Sequence, residues 1–327
     1  MPSLTISRLT GYATFQDLGR NTAQHLGFSG SGAADEYSYL LANQLIGNAG
    51  IEQTSTNKNN TPAAIEVTLG QLSLVANASC QLVITGADCQ AQVRLKHGEQ
   101  LAINNNQVFT LSQGDELHLG SPKTQVYSYL AVKGGFLAKN WLNSASQTVN
   151  ENALGFTEAK LTAGSELSFR ADETPLAEKF TQKNHLNHNF HRSEQLILRF
   201  LPSQLWQHLK MSVKQQFLAQ DYFITPQSNR MGYRLTGDAL TLDKAKNTLS
   251  KPTNFGTIQL PPDGQPIVLM KERQTIGGYP TLGTVIQTDL FRLSQKRPGE
   301  QIKFIPATLA QAQAQLLAFS LKFQVPK

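Results

Sequence analysis

The chain has 327 residues, 29 Lys plus Arg against 23 Asp plus Glu, and only 16% charged side chains where an average protein carries roughly 25%. The net charge of +6 is scattered with no run of five basic residues, which argues against a nucleic-acid footprint and leaves a mild pull on small anions. No apolar run reaches 18 residues and the N-terminus lacks a charged segment followed by an apolar one, so the expectation is a soluble, cytoplasmic chain without membrane contact. The length suits two domains, each with its own core. Cys80 and Cys89 have an odd separation, which puts them on opposite faces of a continuous strand, and no disulfide is expected.

In chain order, Thr5 to Leu9 reads as a strand leading into a glycine-punctuated segment from Gly11 to Asp35. Helical spacing follows through Tyr37, Leu40, Leu41 and Leu45, with Asp35 as N-cap and Gly47 as stop. The helix start is expected to turn free N–H groups toward the preceding SGSG turn, where an anion could sit. After a polar loop from Gln53 to Pro62, short β-branched runs dominate: Ala64 to Leu69, Leu72 to Ala76, Leu82 to Thr85, Val93 to Lys96, Leu101 to Ile103, Val108 to Leu111 and Val126 to Val132. LKHGEQLAI (95–103), LSQGDELHLG (111–120), LTAGSELSF (161–169) and KRPGEQIKF (296–304) each read as strand, Gly-centred turn and return strand, which predicts a hairpin-rich, barrel-like architecture.

The segment 171–194 lacks apolar periodicity and reads as a linker. His185, His188 and His191 within it are spaced three apart, but no cysteine or sustained helix accompanies them, so no metal site is expected. Beyond it, Leu196 to Phe200 reads as a strand, PSQLWQHLK and its continuation to Leu218 as one helix, and Asp221 to Thr225 as a strand. The stretch from Ser228 to Gly283 is dense in Gly, Pro, Asn, Gln and Arg, a surface able to offer backbone N–H groups and amides to a small polar ligand. Thr284 to Leu293 returns to helical spacing, Gln301 to Ile305 is a strand, and Ala307 to Phe319 is a closing helix.

The segments FQDLGR, SGSGAADEYSYLLANQLIGN, AAIEVTLG, ITGAD, YSYLAVKGGF, SNRMGYRLTG, GTIQLPPDGQPIVLM and QTIGGYPTLGTVIQTDL, in this order from about residue 11 to 305, resemble the KipA-like family. That family includes the C subunit of the bacterial ATP-dependent 5-oxoprolinase and the carboxyltransferase half of biotin-dependent urea amidolyase, also labelled allophanate hydrolase subunit 2. The resemblance implies a mainly β fold of two tandem cyclophilin-like β-barrel modules with a few helices, over 1–175 and 195–327, joined by a linker at 176–194. It implies a hydrolase subunit that opens 5-oxoproline to glutamate with ATP, with or without Mg, bound at least partly by a partner. Implied partners are a KipI-like subunit, the B type of 5-oxoprolinase, and a third LamB/YcsF-like subunit, the A type; the substrate is a small anionic amide. No Walker-type GxxxxGK[ST] occurs, and no biotinyl-lysine motif, since Met270-Lys271 is followed by Glu272. Alternatives are a carboxyltransferase module served by a separate biotin carrier, and a non-enzymatic regulator that binds a KipI-like kinase inhibitor. The chain departs from the family pattern at 144–167, at Ser250-Lys251-Pro252 and in KERQT around Glu272.

Opening a lactam with ATP calls for cations, proton-transfer groups and amide-orienting groups. Arg20 and Arg230, with Arg234 and Lys271 behind them, are the cations in the matching segments. Asp17, Asp35 and Glu272 are the carboxylates placed to activate water, a role worth roughly 10²- to 10⁴-fold in rate; Asp35 serves equally as a helix cap, and Arg20 equally as an ion-pair partner. Gln16, Asn43, Asn229, Gln274 and Thr275 are candidate amide-binding residues, and their side chains serve equally to tie loops together. Ser31, Gly277 and Gly278 are candidate oxyanion donors, and Tyr279 a rim residue.

Overall fold

A computed structural model of the chain describes residues 1–20, 23–48, 62–148, 155, 160–172, 174, 195–242 and 249–323. The expected linker 176–194, with its three histidines, lies outside the described residues. Two compact units divide the chain, their main bodies being Met1–Arg20 with Ser31–Leu186, and Asn187–Lys322. Both are mainly β. Among the described residues no helix is long and apolar enough to cross a membrane.

The first unit is a nine-stranded curled sheet. Its frame is β1 (Ser3–Gln16) paired antiparallel with β2 (Ala64–Ala76) from Leu4↔Ala76 to Gln16↔Ala64. The two runs expected at Ala64 to Leu69 and Leu72 to Ala76 are thus one strand, bent at Leu69 and Gly70. A Cβ on Gly70 would fall 1.9 Å from the carbonyl oxygen of Thr10, so only glycine lets the two strands touch at the bend. The bend gives β2 two partners on its other edge: its first half pairs with β8 (Tyr127–Val132) and its second with β7 (Glu116–Leu119). From there the sheet continues through β3 (Cys80–Gly86) to β6 (Val108–Leu111), and through β4 (Gln92–Arg94) to β5 (Gln100–Ala102), while β9 (Glu166–Ser168) flanks β1. Helix α1 (Glu36–Leu45) packs on β3 and β8, and β8 is accordingly buried along its whole length.

Only one of the four Gly-centred units is a hairpin. LKHGEQLAI joins β4 to β5, which pair with each other. The turn at Gly114 instead passes the chain from β6, which pairs with β3, to β7, which pairs with β2 and β4. Gly164 leads to β9 on β1, and Gly299 to β18 (Gln301–Pro306) on two other strands. What the units share is the turn itself: all four glycines have φ between 87° and 98°. In the last three, the side chain after the glycine (Asp115, Ser165 or Glu300) accepts from the N–H three residues earlier.

The second unit is a closed barrel of β10 (Leu196–Pro202), β17 (Thr281–Val285), β14 (Thr257–Gln259), β15 (Ile267–Leu269), β12 (Gly232–Thr236), β11 (Tyr222–Ile224) and β18, sealed by a parallel β10–β18 pair. A two-stranded ribbon, β13 (Lys251–Pro252) with β16 (Ile276–Gly277), stands beside it. The helix expected from Pro202 to Leu218 is two helices, α2 (Gln204–His208) and α3 (Met211–Ala219), separated by extended backbone at Leu209 and Lys210. In one straight helix Trp206 and Phe217 would lie about 16 Å apart along the axis. The break lets both rings reach Phe200, with their own centroids 5.4 Å apart. The helix expected from Thr284 begins later, as α4 (Gln287–Ser294) after β17, and its buried Asp289 takes Nε and Nη2 of Arg199 at 2.9 and 2.6 Å, fastening it to β10. Helix α5 (Leu309–Phe323) ends the described chain.

Candidate functional site

In the first unit the sequence-named residues gather where β1 ends. The carboxylate of Asp17 accepts from the N–H of Gly19 (2.7 Å), the hydroxyls of Ser144 (2.7 Å) and Ser146 (2.6 Å), and the N–H of Ala145 (2.7 Å). Three of these donors converge on Oδ1 and the N–H of Ala145 takes Oδ2, so Asp17 clasps the Ser144 segment onto β1. Arg20, 1% exposed, donates to the carbonyl of Ser146 and lies with its guanidinium carbon 4.7 Å from the ring centre of Trp141. Gln16 donates to Thr14 Oγ1 and Gln147 O, both at 2.9 Å, while its buried Oε1 has no partner among the described residues. Ser31, with φ 50°, buries a hydroxyl that likewise has none.

Asp35 caps α1, accepting from the N–H and hydroxyl of Ser38 at 3.2 and 2.5 Å. The N–H groups just before the helix, those of Ala33, Ala34 and Asp35, donate to Asp17 O, Glu66 Oε2 and Tyr129 Oη, and within its first turn the N–H of Ser38 is taken by Asp35. Tyr129 in turn donates to Glu66 at 2.7 Å, and its hydroxyl is held protonated far above its ordinary range by burial, then by the charges of Glu66 and Asp35. Asn43 donates to Tyr39 O and accepts from Asn48, a tie within the unit. Glu66, Tyr129, Ser144, Ser146 and Gln147 were not named from the sequence. Their partners are more than 30 residues away, and no local pattern marks them.

In the second unit, residues 230–231 and 270–272 run side by side beyond the β12–β15 ladder, joined by Met270 N to Met231 O and Glu272 N to Arg230 O. Arg230 Nε then meets Glu272 Oε1 at 2.5 Å. Lys271 and Arg273 flank Glu272 and are also buried, Lys271 with its ammonium 4.6 Å from the ring centre of Phe255. Arg273 donates to Thr253 O at 3.4 Å, and burial pushes its guanidinium down to about 10. Among the described residues, three buried cations, Arg230, Lys271 and Arg273, lie along one strip with the carboxylate of Glu272. Asn229 is exposed and uses its carboxamide oxygen on the N–H of Met231, a local turn; Arg234 is exposed on β12. Thr253 staples the next stretch, donating its N–H to Thr275 O (2.9 Å) and its hydroxyl to Gln274 O (2.5 Å). Gly277 pairs with Lys251 in the ribbon, Gly278 follows it, and Tyr279 is 45% exposed. Arg230, Glu272, Gln274, Thr275, Gly277, Gly278 and Tyr279 thus belong to the second unit, and Gln16, Asp17, Arg20, Ser31, Asp35 and Asn43 to the first. Gln259 and Arg273, unnamed from the sequence, sit on the second strip.

These features define a class of mainly β chains in which a curled sheet and a closed barrel share one polypeptide. Residues 26–306 match the model of the carboxyltransferase domain, subdomain A and B, and the chain belongs to that family. The 5-oxoprolinase C subunit of Haemophilus influenzae is 33% identical over 305 residues, covering 92% of this chain and 90% of its own. That of Escherichia coli is 32% identical over 314 residues, covering 94% and 93%. The crystal structure of the Kluyveromyces lactis urea carboxylase aligns with a TM-score of 0.80 over 99% of this chain and 29% of its own, at 20% identity, a likeness of fold.

Proposed function

We propose that the chain is a subunit of an enzyme of the 5-oxoprolinase type, opening the ring amide of 5-oxoproline to give glutamate with ATP, together with KipI-like and LamB/YcsF-like subunits. The observation that carries this reading is the similarity to 5-oxoprolinase C subunits over nine-tenths or more of both chains. The buried strip of Arg230, Lys271 and Arg273 with Glu272 supports it chemically.

A lactam resists hydrolysis because nitrogen donates into the carbonyl. Transfer of the ATP γ-phosphoryl group to the ring oxygen, with ADP leaving, makes the carbon electrophilic. Water then adds, the C–N bond opens with a proton passing to nitrogen, and phosphate departs, so ATP and water give glutamate, ADP and phosphate. The reacting species then carries the substrate carboxylate and the phosphate charges together, and buried guanidinium and ammonium groups stabilise such charge more than exposed ones. Arg230 is held in place by Glu272, whose carboxylate lies beside the strip as its proton-accepting group. Gln274, Thr275, Gly277, Gly278 and Tyr279 follow on the same chain segment and orient the ring. Combining this chain with both partner subunits, ATP and 5-oxoproline should release glutamate and ADP together; assembled subunits that yield no glutamate reject the reading.

The family description itself favours a second reading, carboxyl transfer from a separate biotin carrier. Transfer of labelled carboxylate from a carboxylated carrier to an amide acceptor, in the absence of ATP, would select it.

A further inference from the structure

The second unit carries an open cleft of about 480 Å³ that the strip of Arg230 and Glu272 does not use. It is bounded by Arg234 and Thr236 on β12, Thr225 and Gln227 just after β11, and Asp263 and Ile267 in the turn before β15 and at its start. The strip lies where β12 begins and β15 ends. The cleft lies at the other end of the same ladder, with Arg234 opposite Ile267. At about 3.4 Å per residue of extended chain, the four-residue step puts the backbones of Arg230 and Arg234 roughly 13 Å apart. The two are separate places on one barrel.

Backbone pairing holds the walls of the cleft. Thr225 N donates to Arg234 O at 2.9 Å and Leu235 N to Pro266 O at 3.0 Å. The carboxamide of Gln265 accepts from Gly237 N at 2.9 Å and donates to Gly237 O at 3.0 Å, tying the turn before β15 to the end of β12. Asp263 Oδ1 accepts from the N–H of Gln265 at 3.0 Å, which leaves Oδ2 uncommitted among the described residues. The guanidinium of Arg234 makes no hydrogen bond or ion pair among the described residues. One cation and one carboxylate, both exposed, thus border the same space without meeting, and the other bounding residues are uncharged.

We propose that this cleft binds a free α-amino acid with a neutral polar side chain, its carboxylate on Arg234 and its ammonium on Asp263. Two opposite charges that do not reach each other are satisfied together by a ligand that carries both on one carbon. The guanidinium takes the carboxylate through two parallel N–H···O bonds, and the ammonium donates to Asp263 Oδ2. The charges bordering the cleft sum to zero, as do those of such an amino acid. 5-Oxoproline, which lacks an ammonium, and glutamate, which adds a carboxylate, each leave one charge unmatched. The hydroxyl of Thr236 and the carboxamide of Gln227 make no hydrogen bond among the described residues, and they receive the polar end of the side chain. The site is distinct from the strip and does not rest on the 5-oxoprolinase reading.

The test is equilibrium dialysis of the full chain against labelled L-glutamine, N-acetyl-L-glutamine (no ammonium), L-glutamine α-amide (no carboxylate) and 5-oxoproline. L-Glutamine should bind saturably to wild type, and the other three at least about tenfold more weakly. Arg234→Met should lose at least about tenfold in affinity for L-glutamine and no longer separate it from the α-amide. Asp263→Asn, which keeps the Oδ1 bond to Gln265, should no longer separate L-glutamine from its N-acetyl form. Both side chains are exposed, so the melting temperatures of these variants should match wild type and the losses report contact with the ligand. No saturation by L-glutamine up to about 10 mM leaves a merely solvated groove and overturns the proposal. Equal affinity for N-acetyl-L-glutamine or 5-oxoproline overturns it as well, since the cleft would then be a plain anion site, and so does full L-glutamine binding by Arg234→Met.

Discussion

Arg230 donates through Nε to Glu272 at 2.5 Å with both side chains more than nine-tenths buried, so the two opposite charges lie against each other out of bulk water. Removing one partner strands the second in low dielectric, at a cost of about 3–5 kcal/mol, whereas replacing both with apolar side chains is near neutral. Arg230→Met and Glu272→Met should each show a loss of this size in urea unfolding, and the double variant should recover most of it. A double variant no better than either single would show that the pair is not the unit of stability.

The Asp17 clasp joins β1 to a segment about 128 residues later. Asp17→Asn keeps the shape but gives up one acceptor oxygen, turning an amide toward the N–H of Ala145. We expect a loss of about 2–4 kcal/mol for Asp17→Asn and about 1 kcal/mol for Ser144→Ala, read from unfolding midpoints. Equal effects would mean the carboxylate shares less of the load than its four contacts indicate.

Gly27 and Gly32 have nearly the same positive φ, 89° and 98°, and different surroundings. A Cβ at 27 meets nothing within 4 Å; at 32 it falls 2.8 Å from Leu18 O. Gly27→Ala should cost about 1–2 kcal/mol from backbone strain alone. Gly32→Ala should cost roughly 1–3 kcal/mol more from overpacking, so equal losses for the two variants would contradict the close approach.

Burial pushes the Cys80 thiol up to about 12 from an ordinary 9.0, and Cys89, bonded to Ser128 at 2.8 Å, is raised as well. Iodoacetamide at pH 8 should leave both thiols unmodified in the native protein and alkylate both after denaturation. Between pH 9 and 12 the native state keeps a Cys80 proton that the unfolded chain has lost. This contribution to unfolding free energy is therefore whole below pH 9 and falls as pH rises through that window.

Arg273 runs the other way. Its depressed value of about 10, against 12.5, means the native state binds fewer protons than the unfolded chain between those pH values, so this group's contribution rises with pH there. At pH 7 it is a net cost, and Arg273→Met should raise the unfolding midpoint. The gain should shrink above pH 10, measured as the difference from wild type so that Cys80 cancels.

How much of this was legible in the sequence depends on range. The Val108–Leu111 strand, the α1 helix with its Asp35 cap and the four Gly-centred turns rest on residues within a few positions of one another, and all stand in the structure. The pairing of strands after those turns was misread at Gly114, Gly164 and Gly299. A turn fixes the chain's direction, but the partner strand is chosen by which apolar faces must meet. The break between α2 and α3 is another such case: uninterrupted helical spacing hid the requirement that Trp206 and Phe217 converge on Phe200.

The same division runs through the candidate sites. Residue types and their order, from FQDLGR to QTIGGYPTLG, determined the family and the mainly β fold, because turn chemistry and alternating burial are local properties of the chain. The fold decided which side chains are already spent and which are not. Asp17 is engaged by donors brought from Ser144, Ala145 and Ser146, while Gln259, an ordinary strand residue in the sequence, keeps a buried nitrogen unpaired. Hydrogen-bond satisfaction depends on neighbours in space, and those neighbours exist only once the sheet has curled and the barrel has closed.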